Sequence, residues 1–181
     1  QNIRKLRSLL DELSDENNYL FTVQDFSPAF PDLSYNALKA LISRSAKQSV
    51  LRRVCTGLYV NPRIPFPRDL LLYHAAGKLR SSFFQYLSLE TVLSEAGVIS
   101  QIPIQWITLM SSGRSYTFDC GSFGTIEFIH TKRRPADVMN GLTYDHRYFL
   151  WRANVNLALQ DMRYTGRPLD LVDWSVVHEL V

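Results

Sequence analysis

Seven consecutive residues, Asn61 to Pro67 (NPRIPFP), constrain the fold of this 181-residue chain more than any other stretch. Three of them are proline. Proline holds φ at about −65° and offers no backbone N–H, so neither a helix nor the middle of a sheet runs through such a segment. It reads as a semi-rigid linker. Each side must then bury its own apolar residues, and a composition that is 46% hydrophobic allows both to do so. The expected organisation is one domain over residues 1–62, a linker over 63–67 and a second domain over 68–181.

Residues 1–62 show three helical signals. Ile3, Leu6, Leu10 and Leu13 recur at steps of three and four, which predicts an amphipathic helix over 2–13. Thr22 followed by Asp25 is a variant of the capping box; Phe26 and Phe30 lie one turn apart and Pro31 ends a short second helix. Ser34 is placed to cap a third helix reaching Ser45, with Leu38, Leu41 and Ile42 on one side. At about 100° per residue, Asn36, Lys39, Ala40, Ser43 and Lys47 fall on the opposite side, a stripe of small, polar and basic groups. Val50–Val54, a turn at Cys55–Gly57 and Leu58–Val60 then predict a hairpin closed by Pro62. Three helices followed by a hairpin is the order of a winged helix-turn-helix, in which the third helix enters a DNA major groove and the hairpin lies against the backbone. Arg52 and Arg53 fit a wing that packs by its aliphatic residues and reaches phosphates with its charges.

The distribution of charge agrees with that reading. The formal net charge is only +3. Residues 1–66 carry nine Lys and Arg against six Asp and Glu, whereas residues 67–181 carry eleven of each, so the whole excess lies in the first third. No acid occurs between Asp32 and Asp69, an interval holding Lys39, Arg44, Lys47, Arg52, Arg53, Arg63 and Arg68. A folded surface that meets an anion needs such an interval. Asn36, Lys39, Ser43, Arg44, Lys47, Arg52 and Arg53 are the candidate DNA-binding residues. Two other readings stay open: a solvated basic face, and a surface that meets an acidic protein.

Beyond the linker, helical patterns run over Asp69–Leu79, over Ser88–Ala96 with Ser88 as N-cap and Gly97 as stop, over Val155–Tyr164, and over Leu171–Leu180. Strand-like runs at Ile104–Met110, Ser115–Cys120 and Thr125–His130, separated by Gly- and Ser-containing turns, predict a small antiparallel meander; Tyr148–Arg152 adds a further strand. The fold class expected is α+β, a winged helix-turn-helix followed by a mixed α+β domain with a small antiparallel sheet. Tyr73, Phe83, Phe84 and Tyr86 could stack on bases, but at this spacing between two helices they are expected in the core.

No catalytic or metal centre is expected. Asp119 and Glu127 on consecutive strands are similar to the carboxylates of metal-dependent nucleases, but the lysine of a Glu-x-Lys pattern is missing, with Lys132 five residues on. His74, His130, His146 and His178 are scattered without ligand spacing. No P-loop or GxGxxG is present, so no cofactor is expected. Cys55 and Cys120 read as reduced thiols of a cytoplasmic protein. No apolar run approaches the roughly 18–20 residues that span a bilayer, so no membrane partner is expected. Lys132, Arg133 and Arg134 form the one charge run outside the first domain, either a solvated turn or a second basic contact.

Three stretches together carry a family likeness: "TGLYVNP" after the three-helix start, "YLSLETVLSEAGV" at 86–98 and "IPIQWITLMSSGRSYTFDCGSFGTIEFIH" at 102–130. In combination, and over nearly the whole chain, the sequence resembles the AbiEi family antitoxins of type IV toxin-antitoxin (abortive infection) systems. The resemblance implies a DNA-binding winged helix-turn-helix joined to an antitoxin domain. It further implies repression of the protein's own operon at inverted repeats of double-stranded operator DNA, and neutralisation of a nucleotidyltransferase-like toxin of the AbiEii type, hence a role in phage defence. Many relatives begin the helix after the last strand with Pro-Glu-Lys-Ala-Leu, where this chain reads Asn154-Val155-Asn156-Leu157-Ala158-Leu159.

Overall fold

The apolar spacing near the start of the chain becomes helix α1 (Asn2–Leu13) in the computed structural model, which describes residues 1–100 and 105–181. Leu6 and Leu10 on its inner side are fully buried. The chain divides into two compact units, Gln1–Leu71 and Leu72–Val181.

In the first unit, the reciprocal Thr22–Asp25 cap forms: the Thr22 N–H donates to Asp25 Oδ2 at 2.8 Å and the Asp25 N–H to Thr22 Oγ1 at 3.3 Å. The segment it opens, Gln24–Ala29, is the expected short second helix, wound as a 3-10 helix. Pro28 inside it has no N–H to donate to either kind of helical ladder, which keeps the segment short. Helix α2 (Tyr35–Lys47) starts at Ser34, whose Oγ accepts the Ala37 N–H at 3.2 Å, and runs two residues past the expected end. The hairpin is β2 (Arg52–Cys55) and β3 (Leu58–Val60), joined through Gly57 at φ 80°. A short strand absent from the sequence reading, β1 (Leu20–Thr22), pairs antiparallel with the other side of β3, giving the sheet order β1-β3-β2. Leu6, Leu10, Phe21, Phe26, Leu38, Leu41, Ile42 and Tyr59 share one core, where each large side chain contributes about 1.5–3 kcal/mol by leaving water. Residues 63–67 lie on this unit: Arg63 pairs with Asp11 at 2.6 Å, and the Phe66 ring stacks on Tyr19 with centroids 5.5 Å apart.

Helix α3 (Leu71–Leu79) begins at the last residue of the first unit, and the second unit holds the rest of it with β4 (Gln85–Leu87), α4 (Leu89–Glu95), β5 (Trp106–Ser111), β6 (Tyr116–Asp119), β7 (Thr125–His130), α5 (Pro135–Val138), β8 (Leu142–Asp145), β9 (Leu150–Ala153), α6 (Val155–Tyr164) and α7 (Trp174–Leu180). Its sheet has six strands in the order β6-β7-β5-β4-β9-β8. The expected antiparallel meander over β5, β6 and β7 is therefore corrected. β7 lies between the other two and runs parallel to β5, with Trp106 opposite Thr125 and Ser111 opposite His130. The link from β5 to β6, residues 112–115, is long enough to pass one intervening strand, roughly 10 Å across two strand spacings. The predicted start of β5 at Ile104 lies outside the described residues. Tyr86 belongs to a central strand, β4, and is fully buried as expected, whereas Phe83 is 47% exposed. Leu89, at φ 60°, turns the chain from β4 into α4.

Candidate nucleic-acid interface

Helix α2 shows how the sequence separates core from surface. Leu38, Leu41, Ile42 and Ser45 are buried, and the Ser45 hydroxyl is satisfied within the helix by donating to the Leu41 carbonyl at 2.8 Å. Asn36, Lys39, Ser43, Arg44 and Lys47 are all exposed. Ser43 and Asn36 offer uncharged donors and acceptors within this stripe, and Lys39, Arg44 and Lys47 offer cations. Arg44 and Lys47 also complement the negative end of the helix dipole in its last turn.

Arg52 and Arg53 lie on β2, an edge strand of the sheet, opposite Val60 and Tyr59 of β3. Both are exposed while Val54 and Cys55 turn inward, and the register shifts between Arg53 and Cys55. Arg53 is held against the turn: Nε donates to the Cys55 carbonyl at 3.3 Å and Nη2 to Thr56 Oγ1 at 3.0 Å. Thr56 was not among the expected site residues, and a threonine at a hairpin tip carries no signal that would single it out.

The run Lys132-Arg133-Arg134 does not form a single surface. Arg133 turns inward to an ion pair with Asp161, which is fully buried, and lies over the Tyr164 ring at 4.6 Å. Asp161 also accepts from the Tyr86 hydroxyl at 3.0 Å and the Ser88 hydroxyl at 2.6 Å. Burial pushes the Tyr86 phenol up to about 12, so it serves Asp161 as a donor. Ser88 holds the N-cap position of α4 but its side chain is diverted to Asp161; the Thr108 hydroxyl meets the Thr91 N–H instead, at 3.2 Å. Arg134 stays at the surface beside Asp137 at 3.5 Å, and Lys132 is exposed. The N–H and guanidinium of Arg134 hold the Asp137 carboxyl below its usual range.

The two carboxylates weighed as a nuclease site have other engagements. Glu127 accepts from the Arg167 guanidinium at 3.1 and 3.2 Å and from Trp106 Nε1 at 3.2 Å, and Asp119 accepts the Gly121 N–H at 2.9 Å. Among the described residues no group of three His, Cys, Asp or Glu side chains is arranged to hold a metal ion. Cys55 and Cys120 are free and buried. A cleft of about 500 Å³ opens beside Glu95, Arg152 and Asn154 in the second unit. Its charges are satisfied internally, with Arg152 bridging Glu95 and Asp145. No helix among the described residues is long and apolar enough to cross a membrane. Neither a protein-family model nor a curated protein matches the chain.

Proposed function

We propose that this protein binds double-stranded DNA through its first unit, acting as a winged helix-turn-helix. In this reading α2 enters the major groove with Asn36 and Ser43 toward base edges, and Lys39, Arg44, Lys47, Arg52 and Arg53 neutralise phosphates around it. The observation that carries the reading is that Asn36, Lys39, Ser43, Arg44 and Lys47 of α2 and Arg52 and Arg53 of β2 are all exposed, in a sequence interval without an acid, while Leu38, Leu41 and Ile42 on the other side of α2 are fixed in the core. The sheet order, with the hairpin strand β3 central, gives that hairpin a rigid base. On the resemblance to AbiEi antitoxins we extend the proposal: the protein represses its own operon and counteracts a nucleotidyltransferase-like toxin, with the second unit serving neutralisation.

Two experiments test the two halves separately. A mobility shift with DNA from upstream of the protein's own gene is expected to show a specific complex that weakens when Lys39, Arg52 and Arg53 are replaced by Gln; no specific complex removes the DNA reading. Co-expression of the full chain with the product of the adjacent open reading frame, scored by growth, is expected to show rescue from toxicity. A harmless neighbour, or a toxic one that the chain does not relieve, removes the antitoxin reading and leaves a DNA-binding regulator.

A further inference from the structure

Arg80, just past α3, is a largely buried cation that no carboxylate among the described residues balances. It is 8% exposed, with its guanidinium 4.6 Å from the Phe128 ring centroid and 5.5 Å from that of Phe83. Nη2 donates to the Arg114 carbonyl at 2.7 Å and Nη1 reaches Ser111 Oγ at 3.5 Å. An arginine has five N–H donors, so most of this fork is not used by those two bonds. Among the described residues neither Arg80 nor Arg114 forms an ion pair with an acid. Burial first, and then the Arg114 charge, hold the Arg80 guanidinium below the usual arginine range.

The surroundings are built rather than incidental. The segments 80–84 and 111–115 are clipped together: the Ser112 N–H donates to the Phe84 carbonyl at 2.9 Å, and the Phe84 N–H to Ser112 Oγ at 3.1 Å. His130 secures the second loop from the β7 side, with Nδ1 2.8 Å from the Gly113 carbonyl and its N–H donating to Ser115 Oγ at 2.8 Å. The Arg80 guanidinium fills the space that a side chain at Gly113 would take. The three segments that meet here, 78–84, 111–115 and 128–134, contain no Asp or Glu at all. Buried charges in folded proteins are paired, because an unpaired one is costly. Here a buried arginine lies against the backbone of a second, exposed one, and the described residues pair neither with an acid.

We propose that this corner of the second unit binds a phosphate group, with Arg80 and Arg114 as its cationic ligands and the exposed Phe83 ring placed to cover the base of a nucleotide. The guanidinium fork matches phosphate oxygens in pairs, and a half-exposed aromatic beside it offers a stacking face. This site is independent of the DNA surface on the first unit.

The test is thermal unfolding of the full chain, followed by tryptophan fluorescence; all three tryptophans, Trp106, Trp151 and Trp174, lie in the second unit. The midpoint is expected to rise saturably with sodium phosphate and not with sodium chloride at equal ionic strength. Exposed Arg114 is the variant of choice, since Arg80→Gln risks the fold: Arg114→Gln should weaken the phosphate response at least tenfold. Adenosine monophosphate should bind more tightly than phosphate, and Phe83→Ala should abolish that advantage while sparing the response to phosphate. Equal binding of the two ligands keeps the anion site and overturns the role of Phe83. The absence of a saturable phosphate response, or an unchanged one in Arg114→Gln, overturns the site.

Discussion

Replacing Arg52 and Arg53 together by glutamine tests the wing most directly, because it changes charge at two exposed positions of an edge strand and leaves the core residues Val54 and Leu58 in place. Five cations, Lys39, Arg44, Lys47, Arg52 and Arg53, lie on the proposed surface. With ~0.9 counterion released per phosphate neutralised, five contacts give a log-log salt slope of about −4.5, and three give about −2.7. Between 50 and 200 mM salt the parent affinity should then fall about 500-fold and that of the double variant only about 40-fold. Fluorescence anisotropy on a labelled duplex, titrated at four salt concentrations, measures both slopes. Thr56→Val adds a control of a different kind, since Arg53 loses the hydroxyl that receives its Nη2 while every charge remains. That variant should lose about 1 kcal/mol, roughly fivefold, from re-ordering one long side chain on binding, with the slope unchanged. Equal slopes for parent and double variant would refute the placement of these arginines at phosphates.

Three further outcomes are expected. Asp161→Asn leaves Arg133 without its buried counter-charge and weakens the bonds from Tyr86 and Ser88, which should cost about 3–5 kcal/mol in urea unfolding followed by tryptophan fluorescence; a loss below about 1 kcal/mol would show that the network carries little. Ser34→Ala removes the cap of α2 and should cost about 1 kcal/mol in unfolding followed by circular dichroism, with Ser34→Asp close to the parent. Burial raises the Asp145 carboxyl, but the Tyr148 and Arg147 N–H groups and the Arg152 guanidinium outweigh it and hold the group below the usual range. Its contribution is therefore present in full above about pH 4 and lost as the pH falls through the lower, folded-state value; acid titration should show Arg152→Met losing less stability over that interval than the parent.

The helices were legible because their information is local. Leu6 and Leu10, Leu38, Leu41 and Ile42 lie at helical spacing, and the Ser34 cap bonds within three residues, at Ala37. The strands β1, β4 and β8 were not legible, since three or four residues carry too little alternation to be seen and their pairing is decided by distant partners. The insertion of β7 between β5 and β6 is of the same kind: no residue in the 112–115 link states which strand it will pass. Side-chain roles failed for a related reason. Ser88 has the chemistry of a cap, yet Asp161, seventy-three positions away, takes its hydroxyl. Lys132, Arg133 and Arg134 are neighbours in sequence, and the same Asp161 draws the middle one out of line. Arg80 had no signal at all, because what distinguishes it is the carboxylate that the folded unit does not bring to it.

The parallel pairing of β4 with β9 sets the timetable on which this chain can mature. Tyr86 and Leu87 in the middle of the sheet wait for Trp151 and Arg152. The first unit is complete in sequence by residue 71, but this ladder cannot close until residue 153 has left the ribosome. At about 5–20 residues per second the delay is roughly 4–16 s. β4 itself is complete at residue 87, so for the last 66 residues of that stretch, roughly 3–13 s at the same rate, the edge of β4 that β9 will cover has no partner, and an open edge of this kind is one that recruits other chains.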